Sequence, residues 1–369
     1  MSRTKRNGNV EILRFLFCLL IVFHHFEKPV FGGELFTAAY LGVEFFFILT
    51  GVFLGKKLKA DKEKNRAESF GAAAKEGAEH VWKRICGIFP YYFLAAVIGL
   101  AARLFVGINN PTPSELVTFL GDFGFVQLLG ISCLSTTGVM WYLCALFFAL
   151  LLIYPFVRKY YDGFVYSFAL LFPPFIIGTM TKNTGNLGAI KESLFGVFNI
   201  GILRAVAMIS IGLVVNELTD RIKALPVNRL TRAVFTACEL ILYPVIFAYL
   251  IFVGRCGSDY WIVVLMALVL IITLSERSIF FGKFDNRFAM FLGKSSMIVF
   301  MCHFFWVQYI SYYLKRLPAA LPKGRPTAIL LGLALTAVTS VIVYFGGKLL
   351  RFLFRKVKAA LFAPPKNAA

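Results

Sequence analysis

The sequence predicts an all-α, polytopic membrane protein with about ten transmembrane helices and both termini cytoplasmic. Three observations carry this. Of the 369 residues 59% are hydrophobic and only 16% charged, whereas a water-soluble domain carries about a quarter charged residues. Mean hydropathy is +0.75. Apolar runs long enough to cross a bilayer, about 17–25 residues, recur along the chain, and the basic residues divide unevenly between alternating loops. A soluble domain and a disordered chain are both excluded by this composition.

The first apolar stretch, Val10 to Phe26, follows the basic leader MSRTKR and so imitates a secretory signal. No small-residue cleavage site follows it. The stretch holds Glu11 and Arg14 and runs into His24, His25, Glu27 and Lys28, so a retained signal-anchor helix is expected at 9–27. Further windows lie at 36–55, 86–107, 139–157, 163–180, 198–216, 233–253, 260–276, 289–313 and 327–350. Residues 114–130 are apolar but carry Asp122 and three glycines, and are expected as an outer-face or re-entrant segment. Residues 56–84, rich in Lys, Glu and Ala, are expected as a solvated helix beside the membrane. No internal repeat or linker divides the chain, so one membrane domain is expected over 1–358. A short cytoplasmic tail (359–369) is expected to follow, and no C-terminal soluble hydrolase-like domain is expected.

With an even number of spans, one set of loops and termini holds 27 Lys and Arg and the other eight. Basic segments resist translocation, so the first set, with the N-terminus, is cytoplasmic. The same rule accounts for the net charge of +20 without a nucleic-acid partner. The seven cysteines are scattered and show no metal-ligand spacing, so no metal is expected. Cys133 and Cys256 both fall in outer segments, and the sequence allows either a disulfide or two unrelated thiols.

Ionisable groups inside a span are costly and therefore mark functional positions. Arg14 and His25 stand eleven residues apart, which is about three helical turns plus 20°, so they share one stripe about 16 Å apart. The arginine offers a permanent bidentate anchor for a phosphate or carboxylate, and the histidine accepts a hydroxyl proton near neutral pH. A snorkelling arginine and an interfacial histidine satisfy the same spacing. His24, rotated from that stripe, is the weaker candidate. Glu44, in the outer half of the second helix, is expected to orient His25, with a structural hydrogen bond between helices as the alternative. Lys294 fits a snorkelling residue better than a ligand contact, His303 fits a core histidine as well as a catalytic one, and Glu239 and Arg103 find no role.

NVEILRFLFCLLIVFHHF followed by LGVEFFFILTGVFLG resembles the opening of the acyltransferase 3 family, whose first helix carries Arg, ten residues, then His. FFFILTGVF is similar to that family's FF-x-x-SGF stretch, with Thr50 where serine is commoner. WKRICGIFPYYF resembles its R-x-x-R-I-x-P region, with Cys86 where tyrosine is usual and Arg84 the best match. MWYLCALFFALLLIYP, FNIGILRAVAMISIGL with Arg204, and LGKSSMIVFMCHFFWV ending near His303 resemble later helices, in order, to about residue 310.

The resemblance implies an enzyme that moves an acyl group, expected to be acetyl, from cytoplasmic acetyl-CoA or another acyl-CoA to a hydroxyl of an extracytoplasmic or lipid-linked saccharide. It implies the plasma membrane of a bacterial-type cell. In that reading Arg14, Arg84 and Arg204 bind the anionic groups of the donor, and His25 is base or acyl relay with Glu44 beside it. Trp141 and Tyr142 stack on the sugar or belong to an ordinary aromatic belt. The rival is a transporter or flippase of a glycan precursor, in which Arg14, Glu44 and Arg204 bind an anionic lipid-linked substrate. A scaffold without chemistry is disfavoured by the intact Arg14, His25 and Glu44.

Overall fold

Capping side chains set several of the helix starts. In the computed structural model, which describes residues 7–64, 69–107, 111–131, 133–318 and 321–361 but not the side chains of 61–64 and 358–361, Asn7 opens helix α1 (Gly8–Phe26). Its side-chain oxygen accepts from the N–H groups of Asn9 and Val10 at 3.0 and 3.3 Å, pairing two donors that a helix start leaves open. A 3-10 turn (Thr37–Leu41) leads into α2 (Gly42–Lys64). Ser69 caps α3 (Phe70–Val106), which stops at Gly107, whose φ of +68° suits glycine. Thr112 and Glu115 form a reciprocal capping box at α4 (Pro113–Asp122).

α5 (Trp141–Lys159) ends at Tyr160, and α6 (Tyr161–Gly163), a π-helical stretch (Phe164–Phe168) and α7 (Ala169–Thr184) then form a second rod. Two short strands, β1 (Ser193–Leu194) and β2 (Phe198–Asn199), pair antiparallel with Ser193 opposite Asn199. Asn199, Asn228 and Asn286 then cap α8 (Ile200–Ala224), α9 (Arg229–Phe252) and α11 (Arg287–Cys302), with α10 (Asp259–Leu274) between the last two. α12 (Phe304–Gln308), α13 (Ile310–Lys315) and α14 (Arg325–Leu361) complete the chain.

Eight helical rods among the described residues are long and apolar enough to cross a membrane. Two of the ten expected windows are not met in that form. α10 is apolar but has 16 residues, and the 289–313 window is broken at His303 and Tyr309 into α11, α12 and α13. Residues 114–130 hold the ten-residue α4 and turns, with Asp122 fully buried and its Oδ1 accepting from Gln127 Nε2 at 2.5 Å. Burial raises the Asp122 carboxyl above its usual range.

Residues 56–84 are not a separate surface helix. α2 runs on to Lys64, residues 70–84 begin α3, and both extensions are tied to their neighbours. Glu76 accepts from Arg158 Nε at 2.7 Å, and Lys57 Nζ donates to Tyr154 at 3.2 Å. Those contacts belong to one end of the bundle, the near end, where Gly8 N also donates to Asp285 at 2.7 Å and Lys59 pairs with Glu217 and Asp220 at 2.9 Å. At the opposite, far end Thr37 donates to the Val253 carbonyl at 3.0 Å and Tyr312 to that of Phe105 at 3.2 Å.

The core is built around α2 against α8. A Cβ placed on Gly51 would stand 2.0 Å from the Ile209 carbonyl oxygen, and one on Gly212 would stand 2.0 Å from that of Ile48. Lipid supplies little hydrophobic drive between helices, so backbone contact at small residues replaces it. Gly212→Val is expected to force these helices apart and lower the thermal midpoint of the purified protein sharply, since overpacking costs about 1–3 kcal/mol or more. Gly178→Ala, where an added Cβ meets open space, is the control expected to hold the wild-type midpoint in the same tryptophan-fluorescence melt.

Candidate active site

The residues singled out in the sequence fall into three groups. The first is at the far end of α1. His24 is fully engaged: Nδ1 lies 2.9 Å from the Phe36 carbonyl, and Nε2 lies 3.4 Å from Arg255 Nη2. A carbonyl only accepts, so Nδ1 carries the proton. His25 is half-buried and makes no hydrogen bond among the described residues. Its ring is instead clasped by rings, with His24 at 5.3 Å, His303 at 5.1 Å and Phe304 edge-on at 5.0 Å between centroids.

His303 is the residue that sequence reasoning left undecided. The break between α11 and α12 turns its side chain inward, where it is fully buried. Nδ1 lies 2.9 Å from the Phe300 carbonyl and so holds the proton, which leaves a lone pair on Nε2. Nε2 is buried with no hydrogen-bond partner among the described residues. The signal for this in the sequence is slight: a histidine in an apolar helix, with nothing to say which neighbour it meets.

The second group lines a small cavity nearer the middle of α1. Arg14, Val43, Phe46, Tyr142, Ser296, Met297 and Phe300 form its wall. Arg14 Nη1 donates to Glu11 at 3.0 Å. Arg84, from α3, lies within electrostatic reach of the Tyr142 hydroxyl, as does Arg14. Arg14, Arg84 and Tyr142 are thus brought together, although Trp141, next to Tyr142, is not with them. The Phe300 ring stands 5.6 Å from Tyr142 and 5.8 Å from His303, so one phenyl ring separates this cavity from the histidines.

The third group corrects an expectation. Glu44, expected to orient His25, pairs with Arg204 instead, and both side chains are fully buried. The reason is helical phase. Glu44, Ile48, Gly51 and Gly55 follow at i, i+4, i+7 and i+11 and form one face of α2. That face meets α8, where Ile48 and Gly51 touch Gly212 and Ile209, and Gly55 touches Asn216. Val43 and Phe46 point to the cavity, and Glu44 points to α8.

Arg204, expected beside Arg14 and Arg84, is taken by this pair. Its guanidinium lies 5.7 Å from the Tyr40 ring and 5.5 Å from that of Trp141. Tyr40 in turn donates to Asp259, which also accepts from Tyr249 at 3.0 Å. The alternative role for Glu44, a hydrogen bond between helices, describes this contact. Lys294 is exposed, Glu239 accepts from Thr273 at 2.7 Å, and Cys133 and Cys256 are free thiols.

An arginine-bordered cavity joined through aromatic contacts to a histidine with unused nitrogens suits transfer of a group to a hydroxyl. No curated protein and no solved structure matches the chain. A family model described as an acyltransferase domain, Acyl_transf_3, matches residues 7–345, nearly the whole chain, and the protein belongs to the acyltransferase 3 family.

Proposed function

We propose that this multi-pass membrane acyltransferase moves an acyl group, acetyl in the simplest case, from cytoplasmic acyl-CoA to a hydroxyl of an extracytoplasmic or lipid-linked saccharide. Its setting in this reading is a bacterial-type plasma membrane, with the near end of the bundle in the cytoplasm. The single observation that supports the reading best is the line of contacts from the Arg14 cavity through Phe300 and His303 to His25.

The chemistry follows from the side chains. The donor carries phosphates, and a charged fork such as Arg14 or Arg84 binds them. The largely apolar wall of Val43, Phe46, Met297 and Phe300 beside Arg14 suits the acyl-bearing end of the pantetheine arm rather than the nucleotide. His25 accepts the proton of the acceptor hydroxyl as its oxygen attacks the thioester carbonyl. The C–S bond breaks, the thiolate leaves with that proton, and an ester remains on the acceptor. His303, with Nδ1 held by a carbonyl, positions the His25 ring. Trp141 stays with Arg204, so in this reading Tyr142 is the aromatic that touches substrate.

The test is incorporation of labelled acetyl from acetyl-CoA into a base-labile ester, using the purified protein in lipid nanodiscs with envelope glycan fractions. Transfer is expected with wild type. Arg14→Ala is expected to raise KM for acetyl-CoA about ten- to a hundredfold, as loss of a hydrogen bond to a charged group costs about 1.5–3 kcal/mol. Movement of a glycan across the bilayer with no acetyl-CoA consumed would favour the transporter instead.

A further inference from the structure

The cavity beside Arg14 has room for little more than one water-sized group. Apolar side chains from two helices bound that room. Val43 and Phe46 are three residues apart on α2, Met297 and Phe300 three apart on α11, so each pair shares a helix face. A chain entering the cavity therefore meets Phe46 from one side and Met297 from the other.

Such a wall gives way only if its side chains turn or its helices separate, and the packing opposes both. Phe46 is edge-on to Phe45 at 5.5 Å, and Phe45 is itself stacked on Phe17 at 4.1 Å. Phe300 is wedged between Tyr142 and His303. α2 is pinned to α8 by the backbone contact of Gly51 with Gly212. α11 is pinned to α1 one turn before Met297, where a Cβ on Gly293 would collide with the Glu11 side chain. Cys18 of α1 also donates to the Ser296 carbonyl at 3.1 Å, beside Met297. Widening the cavity would thus break contacts that hold four helices together, and a close-packed interior resists that.

We propose that Phe46 and Met297 set the length of the acyl chain taken from the donor, with acetyl the longest that fits without loss. The inference rests on the acyltransferase reading. The single methyl of an acetyl group fills the room beside Arg14, and each further methylene must displace one of the two side chains. Phe46 is a rigid ring and sets a hard limit. Met297 is unbranched and adaptable, and sets a softer one. A succinyl chain is excluded by its length, although its carboxylate would come close to Arg14.

The full-length protein in nanodiscs is given acetyl-, propionyl-, butyryl- or succinyl-CoA with an envelope glycan fraction. Two readouts are taken, kcat/KM for acyl transfer and thermal stabilisation by the donor alone. In wild type kcat/KM is expected to fall about ten- to two-hundredfold for each added methylene, the discrimination an apolar pocket achieves. Phe46→Ala and Met297→Ala are each expected to raise the ratio of butyryl to acetyl transfer by about tenfold or more, Phe46→Ala by the larger factor. Stabilisation by butyryl-CoA is expected to rise in the same order. The two residues belong to different helices, so one variant keeps the test open if the other fails to fold.

A wild type that uses butyryl- or succinyl-CoA as well as acetyl-CoA overturns the proposal. So does an unchanged donor ratio in either variant that folds, and in both cases the acyltransferase reading stands. No transfer from any donor counts against that reading instead. Stabilisation that weakens with chain length in wild type and recovers in the variants would then still uphold the two selectors, whereas no stabilisation by any donor overturns both.

Discussion

His25→Ala is expected to abolish ester formation on envelope glycans, by at least about 10²-fold and up to 10⁴-fold, the range for a lost general base. The magnitude follows from the environment. His24 spends both ring nitrogens on Phe36 and Arg255, and His303 spends Nδ1 on Phe300. His25 alone of the three leaves both nitrogens without a hydrogen bond among the described residues, and it is the one on the Arg14 stripe. Because the His25 contacts are ring packing rather than hydrogen bonds, its loss should change stability far less than activity. Mass spectrometry of base-labile acyl groups from cells with matched levels of wild type, His25→Ala or no copy reads both the effect and the acceptor. Full acylation by His25→Ala would remove the residue from the chemistry and point to His303.

The second large effect is on folding. Arg204→Ala and Glu44→Ala are each expected to destabilise the protein by about 3–5 kcal/mol, because either change leaves one charge buried without its partner. Both side chains are fully buried, and neither helix can turn to reach water without breaking the Gly51–Gly212 contact. Replacing both at once, as Glu44→Leu with Arg204→Met, is expected to recover most of the loss, since apolar groups of similar volume often substitute for a buried pair. The thermal midpoint in detergent and the yield of monodisperse protein measure this. An Arg204→Ala protein of wild-type stability but with a raised KM for acetyl-CoA would return Arg204 to the donor, as the sequence reading had it.

What was legible in the chain is what a single helix decides. Lipid as solvent requires apolar helices, and their lengths and caps follow from local residues such as Asn7, Ser69 and Asn228. The shared stripe of Arg14 and His25 likewise needs only the helical period. Partnership is different. Glu44 was equally able to face α1 or α8, and the choice came from Gly51 and Gly212, which let α2 and α8 meet backbone to backbone.

The approach of His303 to His25 depends on a break after Cys302, within an apolar run whose composition reads as one continuous helix. Arg103 likewise meets Gln308 and Tyr309, some two hundred positions away, only in the folded chain. Periodicity fixes which face a residue occupies, while the partner across that face is selected by close packing of helices far apart in sequence, which no local pattern encodes.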